Sequence, residues 1–223
     1  MKKLLLLIFI SSFSSFVFSQ KVLDTLEIKT VFGEKKLKLN KEFYSNTDTI
    51  KFTTVRFYIS NIQFQNKNTG EIYTLKKYHL IDLENLTSLT FPLLNKTQNK
   101  WDSISFNIGI DSNTNKNGAL GGDLDPTNGM YWTWQSGYIN TKIEGYSAKC
   151  SARKNYFQFH IGGYQHPNQT IKRVSLPINN NVIVDFKLLF SEINLQTTHT
   201  IMSPGKKAVN FSSMFSSSFK TKK

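Results

Sequence analysis

The 223-residue chain carries 28 basic and 15 acidic side chains, a net charge of +13, and one cysteine, Cys150. A single cysteine excludes a disulfide framework, a thiolate zinc or iron–sulfur centre and covalent haem attachment. The basic residues are spread over Glu34–Lys38, Lys76-Lys77, Lys206-Lys207 and the Lys220–Lys223 tail, without interleaved aromatics. That distribution speaks against a nucleic-acid partner and for a solvated basic surface.

In chain order, residues 1–19 read as a secretory signal peptide. Lys2 and Lys3 open it, Leu4–Ile10 is its apolar run, and Val17-Phe18-Ser19 precedes the expected cleavage before Gln20. No cysteine follows the run, so a lipid anchor is not expected, and no later segment is apolar enough to span a bilayer. The remaining 20–223 has the length of one domain. It is expected as a monomer, in the periplasm of a Gram-negative envelope or secreted.

Period-two alternation dominates the rest. Leu26, Ile28, Thr30 and Phe32 share one face of a first strand, and Val55, Phe57 and Ile59 mark another that continues toward Ile62 and Phe64. Shorter strands are expected at Ile72–Leu75 and Tyr78–Leu83. Ile104, Phe106, Ile108 and Ile110 give the cleanest alternation, followed by Phe157–Ile161, Val174–Leu176 and Val182, Val184, Phe186 and Leu188. Short strands bounded by Asn, Gly, Ser and Pro predict an all-β fold: an antiparallel, immunoglobulin-like β-sandwich. Ala208, Phe211, Met214 and Phe215 predict a short C-terminal amphipathic helix with a frayed basic tail.

Asp111–Gly129 stands out as a long acidic, glycine-rich loop, of the kind that is functional or disordered. Its Asp123, Asp125 and Asn128 offer hard oxygen ligands suited to calcium, although the EF-hand register fails; turn capping is the competing account. GMYWTWQSGY follows, and strand geometry puts Trp132 and Trp134 on one face, as a core wall or as something more. Imidazole suits copper, zinc, iron or nickel. Among the histidines, His79 alternates with Ile81 and Leu83 on an inward face, His160 faces away from Phe157, Phe159 and Ile161, His166 precedes a proline in a turn, and His199 stands before the last helix. No HxH or HxxxH spacing groups them, so ordinary hydrogen bonding is the default for each. The chain has no GxSxG, HExxH or phosphate-binding loop and no obvious carboxylate pair, so it does not read as an enzyme.

FYISNIQF (57–64), YHLIDLE (78–84), FNIGIDS (106–112), GGDLDPTNGMYWTWQSGYINTKIEG (121–145), FQFHIGGY (157–164) and HTIMSPG (199–205) occur in that order. Together they resemble the methanobactin-partner (MbnP-like) family of exported copper-binding proteins. The resemblance implies a β-sandwich holding one copper ion through histidine imidazoles and a kynurenine made from a tryptophan by a separate di-haem, peroxidase-like enzyme. It nominates His79 and His160 as ligands and Trp132 or Trp134 as the modified residue, with His199 as a further donor. An indole nitrogen is a poor ligand, whereas the aryl amine left by ring opening can bind a metal. Copper heads the Irving–Williams order, so a sparse nitrogen site can still select it. The rival readings are an envelope module that contacts protein or glycan without metal, and an electron-transfer accessory.

Overall fold

A computed structural model describes residues 25–45, 48–92, 101–178 and 181–221; the signal-peptide assignment lies outside them. The first half contains β1 (Thr25–Phe32), β2 (Lys35–Lys36), β3 (Glu42–Ser45), β4 (Asp48–Gln65), β5 (Ile72–Asp82), β6 (Thr90–Pro92) and β7 (Ser103–Ile108). Helix α1 (Ser112–Lys116) leads to β8 (Tyr131–Trp132), β9 (Gly137–Ser147), β10 (Tyr156–Gly162), β11 (Lys172–Pro177) and β12 (Asn181–Asp185). Helix α2 (Phe186–Ser191), β13 (Thr200–Ile201), α3 (Lys206–Ser217) and β14 (Phe219–Thr221) complete the chain.

Two sheets result. A five-stranded sheet runs β14-β12-β1-β2 with β6 beside β1; a nine-stranded one runs β11-β7-β4-β9-β10-β13, with β3, β5 and β8 at its margins. The larger sheet is curled into a half-barrel; the expected β class holds as a mostly β, two-sheet fold, without an immunoglobulin-like arrangement being established. Nor is the pairing wholly antiparallel: β1 pairs with β12, and β10 with β13, in parallel.

The curl has a local cause in β4. Its main-core residues are Ile50 and Phe52, then Val55, Phe57 and Ile59, then Ile62 and Phe64, a parity that changes twice. Register shifts fall between Phe52 and Thr54 against β9, and between Ser60 and Gln63 against β7, where Asn61 has a φ of 49°. Each extra residue turns the following side chains over, and each bulge bends the strand. One eighteen-residue strand can therefore keep its apolar residues inward around a curve.

The main core lies between the sheets and is dominated by phenylalanine: Phe52, Phe57, Phe106, Phe157, Phe186 and Phe215 are all fully buried. Each is worth roughly 2–3 kcal/mol of transfer free energy, which is how a fold with a single cysteine holds together without a disulfide. Asp185 ends β12 where alternation predicted it would continue, because its carboxylate accepts hydrogen bonds from Gly33 N and Lys187 N, at 2.9 and 3.1 Å. The chain turns into α2, and Leu188, expected inside, is exposed. Helix α3 buries Ala208, Phe211 and Phe215 as its periodicity predicts. The expected frayed tail is instead strand through Thr221, paired with β12.

Candidate metal centre

The face of the nine-stranded sheet turned away from the main core carries a second apolar cluster of Tyr58, Leu80, Ile110, Leu124, Met130, Trp132, Tyr138 and Ile139. Ile110 belongs here and not with Ile104, Phe106 and Ile108, because β7 stops at Ile108 and Gly109 turns the chain at φ 102°. The 111–129 loop is the lid of this cluster. Asp111 caps α1 by accepting from Thr114 N at 2.9 Å, and Leu124 is buried. Tyr58 donates its hydroxyl to Asp123 O at 2.9 Å, while the Tyr138 hydroxyl accepts from Leu120 N at 2.9 Å. The loop is ordered by two buried tyrosines whose polar tips satisfy its backbone.

Its acidic residues are occupied in the same way. Asp125 accepts from Thr127 N and Oγ1 at 2.8 and 2.7 Å, and Asn128 Nδ2 donates to Gly122 O and Asp123 O at 3.2 Å each. Asp123 reaches outward to Lys76 Nζ at 2.8 Å. Burial would raise the Asp123 pKa, but the Lys76 hydrogen bond and charge override it and hold it below the ordinary carboxylate range. The three do not share a coordination shell; each serves a turn or an anchor. Among the described residues, no three His, Cys, Asp or Glu side chains are grouped to hold a metal.

The tryptophan segment is not one strand. Trp132 ends β8 and is buried, residues 133–136 form the turn, and Trp134 stands in it, 65 % exposed. The rings nonetheless remain neighbours, with centroids 5.6 Å apart. The benzo edge of Trp132 rests on Gly162: a Cβ added there would lie 2.6 Å from Cζ3 and 3.0 Å from Cη2. Only glycine permits that approach.

His160 is two residues before Gly162 on β10 and is buried on this outer face, across from Lys142 and Arg56. Its Nε2 lies 2.6 Å from Glu144 Oε1. Glu144 is pulled down to about 2, first by the His160 hydrogen bond and against burial, with Lys142 helping. An ionised carboxylate only accepts, so Nε2 is the donor, and Nδ1 has no hydrogen-bond partner among the described residues. A carboxylate behind one imidazole nitrogen is the arrangement that fixes the tautomer of metal-bound histidines.

His79 is placed differently. It pairs across from Ile59, so it lies on the main-core face, and its ring is 4.3 Å from that of Phe91. Nε2 faces Ser88 O at 2.7 Å and Nδ1 faces Lys76 Nζ at 2.7 Å, with Asp123 Oδ2 at 3.2 Å. A carbonyl only accepts and an ammonium only donates, so His79 is the neutral Nε2–H tautomer with both nitrogens used. Its pKa is lowered, chiefly by burial, against the Ser88 carbonyl and helped by Lys76. His79 and His160 are on opposite faces and separated by three strand spacings, about 14 Å. The structure does not bring them together.

His199 is half-buried before β13, with Nδ1 3.2 Å from Thr200 Oγ1. His166 is exposed, and none of its ring nitrogens has a hydrogen-bond partner among the described residues. It lines a polar cavity of about 170 Å³ with Gln135 and Tyr164, beside the tryptophan turn. Sequence reasoning missed Glu144 and Gly162. Only the β9–β10 register puts Glu144 diagonal to His160, and that register is not written in either segment alone.

Fold and site together define a two-sheet β protein with a tryptophan hairpin resting on Gly162, two residues along β10 from a carboxylate-backed histidine. The chain matches the MbnP family over residues 19–203 and belongs to it. Among solved structures it is similar to MbnP from Methylosinus trichosporium, with a TM-score of 0.53 at 13% identity, covering 75% of this chain and 77% of that one. No curated protein matches the sequence. The family match ends before α3, so the terminal helix and β14 lie beyond it.

Proposed function

We propose that this is an exported copper-binding protein, a carrier and not an enzyme, whose copper site is on the outer face of the larger sheet. The observation that carries the reading is His160: buried, oriented through Nε2 by Glu144, and with no partner for Nδ1 among the described residues. The donor set fits copper only in part. His160 qualifies, whereas a common site for His79 and His160 does not, because of their opposite faces. Trp132 supplies the second element of the reading. Its benzo ring lies over Gly162, about 7 Å along the strand from His160, so oxidative opening of its pyrrole ring would set an aryl amine on the same face. Trp134, exposed and in ring contact with Trp132, is the residue that a di-haem, peroxidase-like modifying enzyme can touch. His166, at the rim of the hairpin, is the free imidazole nearest in the chain to this face and is the proposed further donor in place of His79.

The test is peptide mapping of protein purified from its native envelope. Trypsin releases Asn117–Lys142, which contains both tryptophans. The reading expects a gain of about 4 Da, one oxygen gained and one carbon lost, localised to Trp132 in copper-bearing protein. Modification at Trp134 would move the pre-ligand to the exposed ring. An unmodified, copper-free peptide would favour a contact module instead, for which the exposed Trp134 is the supporting feature.

A further inference from the structure

A cavity of about 460 Å³ opens at the other end of β9 from the tryptophan hairpin. The hairpin is separated from it by the run from Gly137 to Ser147, about 33 Å of strand, with His160 and Glu144 partway along. The cavity takes its floor from the main core: Phe32, Ile50, Phe190 and Leu195 line it while being almost fully buried themselves. Its rim is polar and holds three charges, those of Asp48, Lys149 and Lys187.

The charges are not equivalent. Asp48 already accepts three hydrogen bonds: from Thr49 N at 2.8 Å and Lys149 N at 3.2 Å on Oδ1, and from Ser147 Oγ at 2.6 Å on Oδ2. Lys149 and Lys187 make no ion pair among the described residues. Lys187 is moreover held in place. Its stem packs on Gly33, whose added Cβ would be 3.3 Å from Lys187 Cδ, and its backbone N–H is fixed by Asp185. Two cations stand over an apolar floor, against one carboxylate that is already engaged by three donors. Such a concave surface accepts a molecule with one anionic end and one apolar end.

We propose that this cavity binds an amphiphilic monocarboxylate, a saturated chain ending in a carboxylate. The chain lies on Phe32, Ile50, Phe190 and Leu195, and the head group is held between Lys149 and Lys187. The volume is at the small end for a ligand pocket, so a medium chain fits and a long one protrudes.

The experiment is a titration of the isotope-labelled full chain with sodium octanoate, followed by amide NMR, alongside octanol and octylammonium. Saturable shifts at Lys149, Lys187 and Leu195, at concentrations below about 1 mM, are the expected result, with octanol weaker by about tenfold and octylammonium inert. In the double variant Lys149→Gln/Lys187→Gln, octanoate affinity should fall at least about tenfold to the level of octanol, with an unchanged melting temperature, since both side chains are exposed. No saturation by about 10 mM, shifts elsewhere, equal binding of octanol, or unaltered affinity in the double variant would each overturn the assignment. None of these outcomes bears on copper, which is tested through His160 and the tryptophans.

Discussion

Replacing Glu144 by glutamine removes a charge and keeps the shape, so it isolates the electrostatic part of the His160 contact. Glu144 titrates at about 2 in the fold against 4.5 ordinarily, and the depressed value means that the folded state favours the carboxylate. At about 1.4 kcal/mol per unit the ceiling is roughly 3 kcal/mol. The pair is not sealed, its side chains being 10% and 16% exposed, and solvent screening reduces the share that appears as stability to roughly 1–2 kcal/mol. The sign follows from linkage. The contribution is fully present above pH 4.5 and is lost as pH falls from there toward 2. Urea unfolding of wild type and Glu144→Gln at pH 7, 4.5 and 3 should give a difference of roughly 1–2 kcal/mol that shrinks with each step down. A difference that is absent at pH 7, or constant across the series, would refute the charged hydrogen bond as the thing that holds His160. In copper-loaded protein the same variant should bind the metal roughly 10–100-fold more weakly, as expected when the group behind a ligand is lost.

Gly162→Ala drives a methyl into Trp132 Cζ3 and the Tyr138 carbonyl, each 2.6 Å from the new atom. It should cost about 1–3 kcal/mol and red-shift tryptophan emission as the ring is pushed toward water. Trp134→Ala, by contrast, should change stability by less than about 0.5 kcal/mol, whereas Trp132→Ala should cost about 3–5 kcal/mol by chemical denaturation. His79, neutral when folded and lowered by burial, makes the fold bind fewer protons than the unfolded chain, so stability declines as pH drops below 6.5. His79→Gln should flatten that decline in a pH series of melting temperatures. Asp123→Asn should release the lid from Lys76 and speed amide exchange over residues 118–128, read by hydrogen exchange mass spectrometry.

Much of this architecture could be read from side-chain periodicity, because burial writes itself into a strand two residues at a time. Leu26, Ile28, Thr30 and Phe32, and the inward faces of β10 and α3, are buried as their spacing requires. What periodicity lacks is pairing. The β1–β12 and β10–β13 parallel contacts join distant segments, and nothing local distinguishes them from antiparallel ones. The long loop was misleading for a related reason: Leu124 looks like an isolated apolar residue until Tyr58, Tyr138 and Met130 surround it. Trp132 and Trp134 sit in a motif legible at once, yet a turn at residue 133 puts one inside and one outside, which strand parity alone denies. His79 and His160 are both strand histidines. Local alternation already sets them on opposite faces, His79 with Ile81 and Leu83 and His160 away from Phe157, Phe159 and Ile161; what neither segment shows alone is the three strand spacings between them.

The most direct test of the proposed copper site is copper stoichiometry in His160→Ala and His79→Ala, both purified from the native host so that any tryptophan modification is retained. Cu(II) bound per chain, measured by metal analysis with the paramagnetic resonance spectrum recorded on the same samples, should fall to background in His160→Ala. In His79→Ala it should stay near that of wild type, with unchanged nitrogen hyperfine structure. Full copper retention in His160→Ala, or its loss in a folded His79→Ala, would contradict the outer-face site.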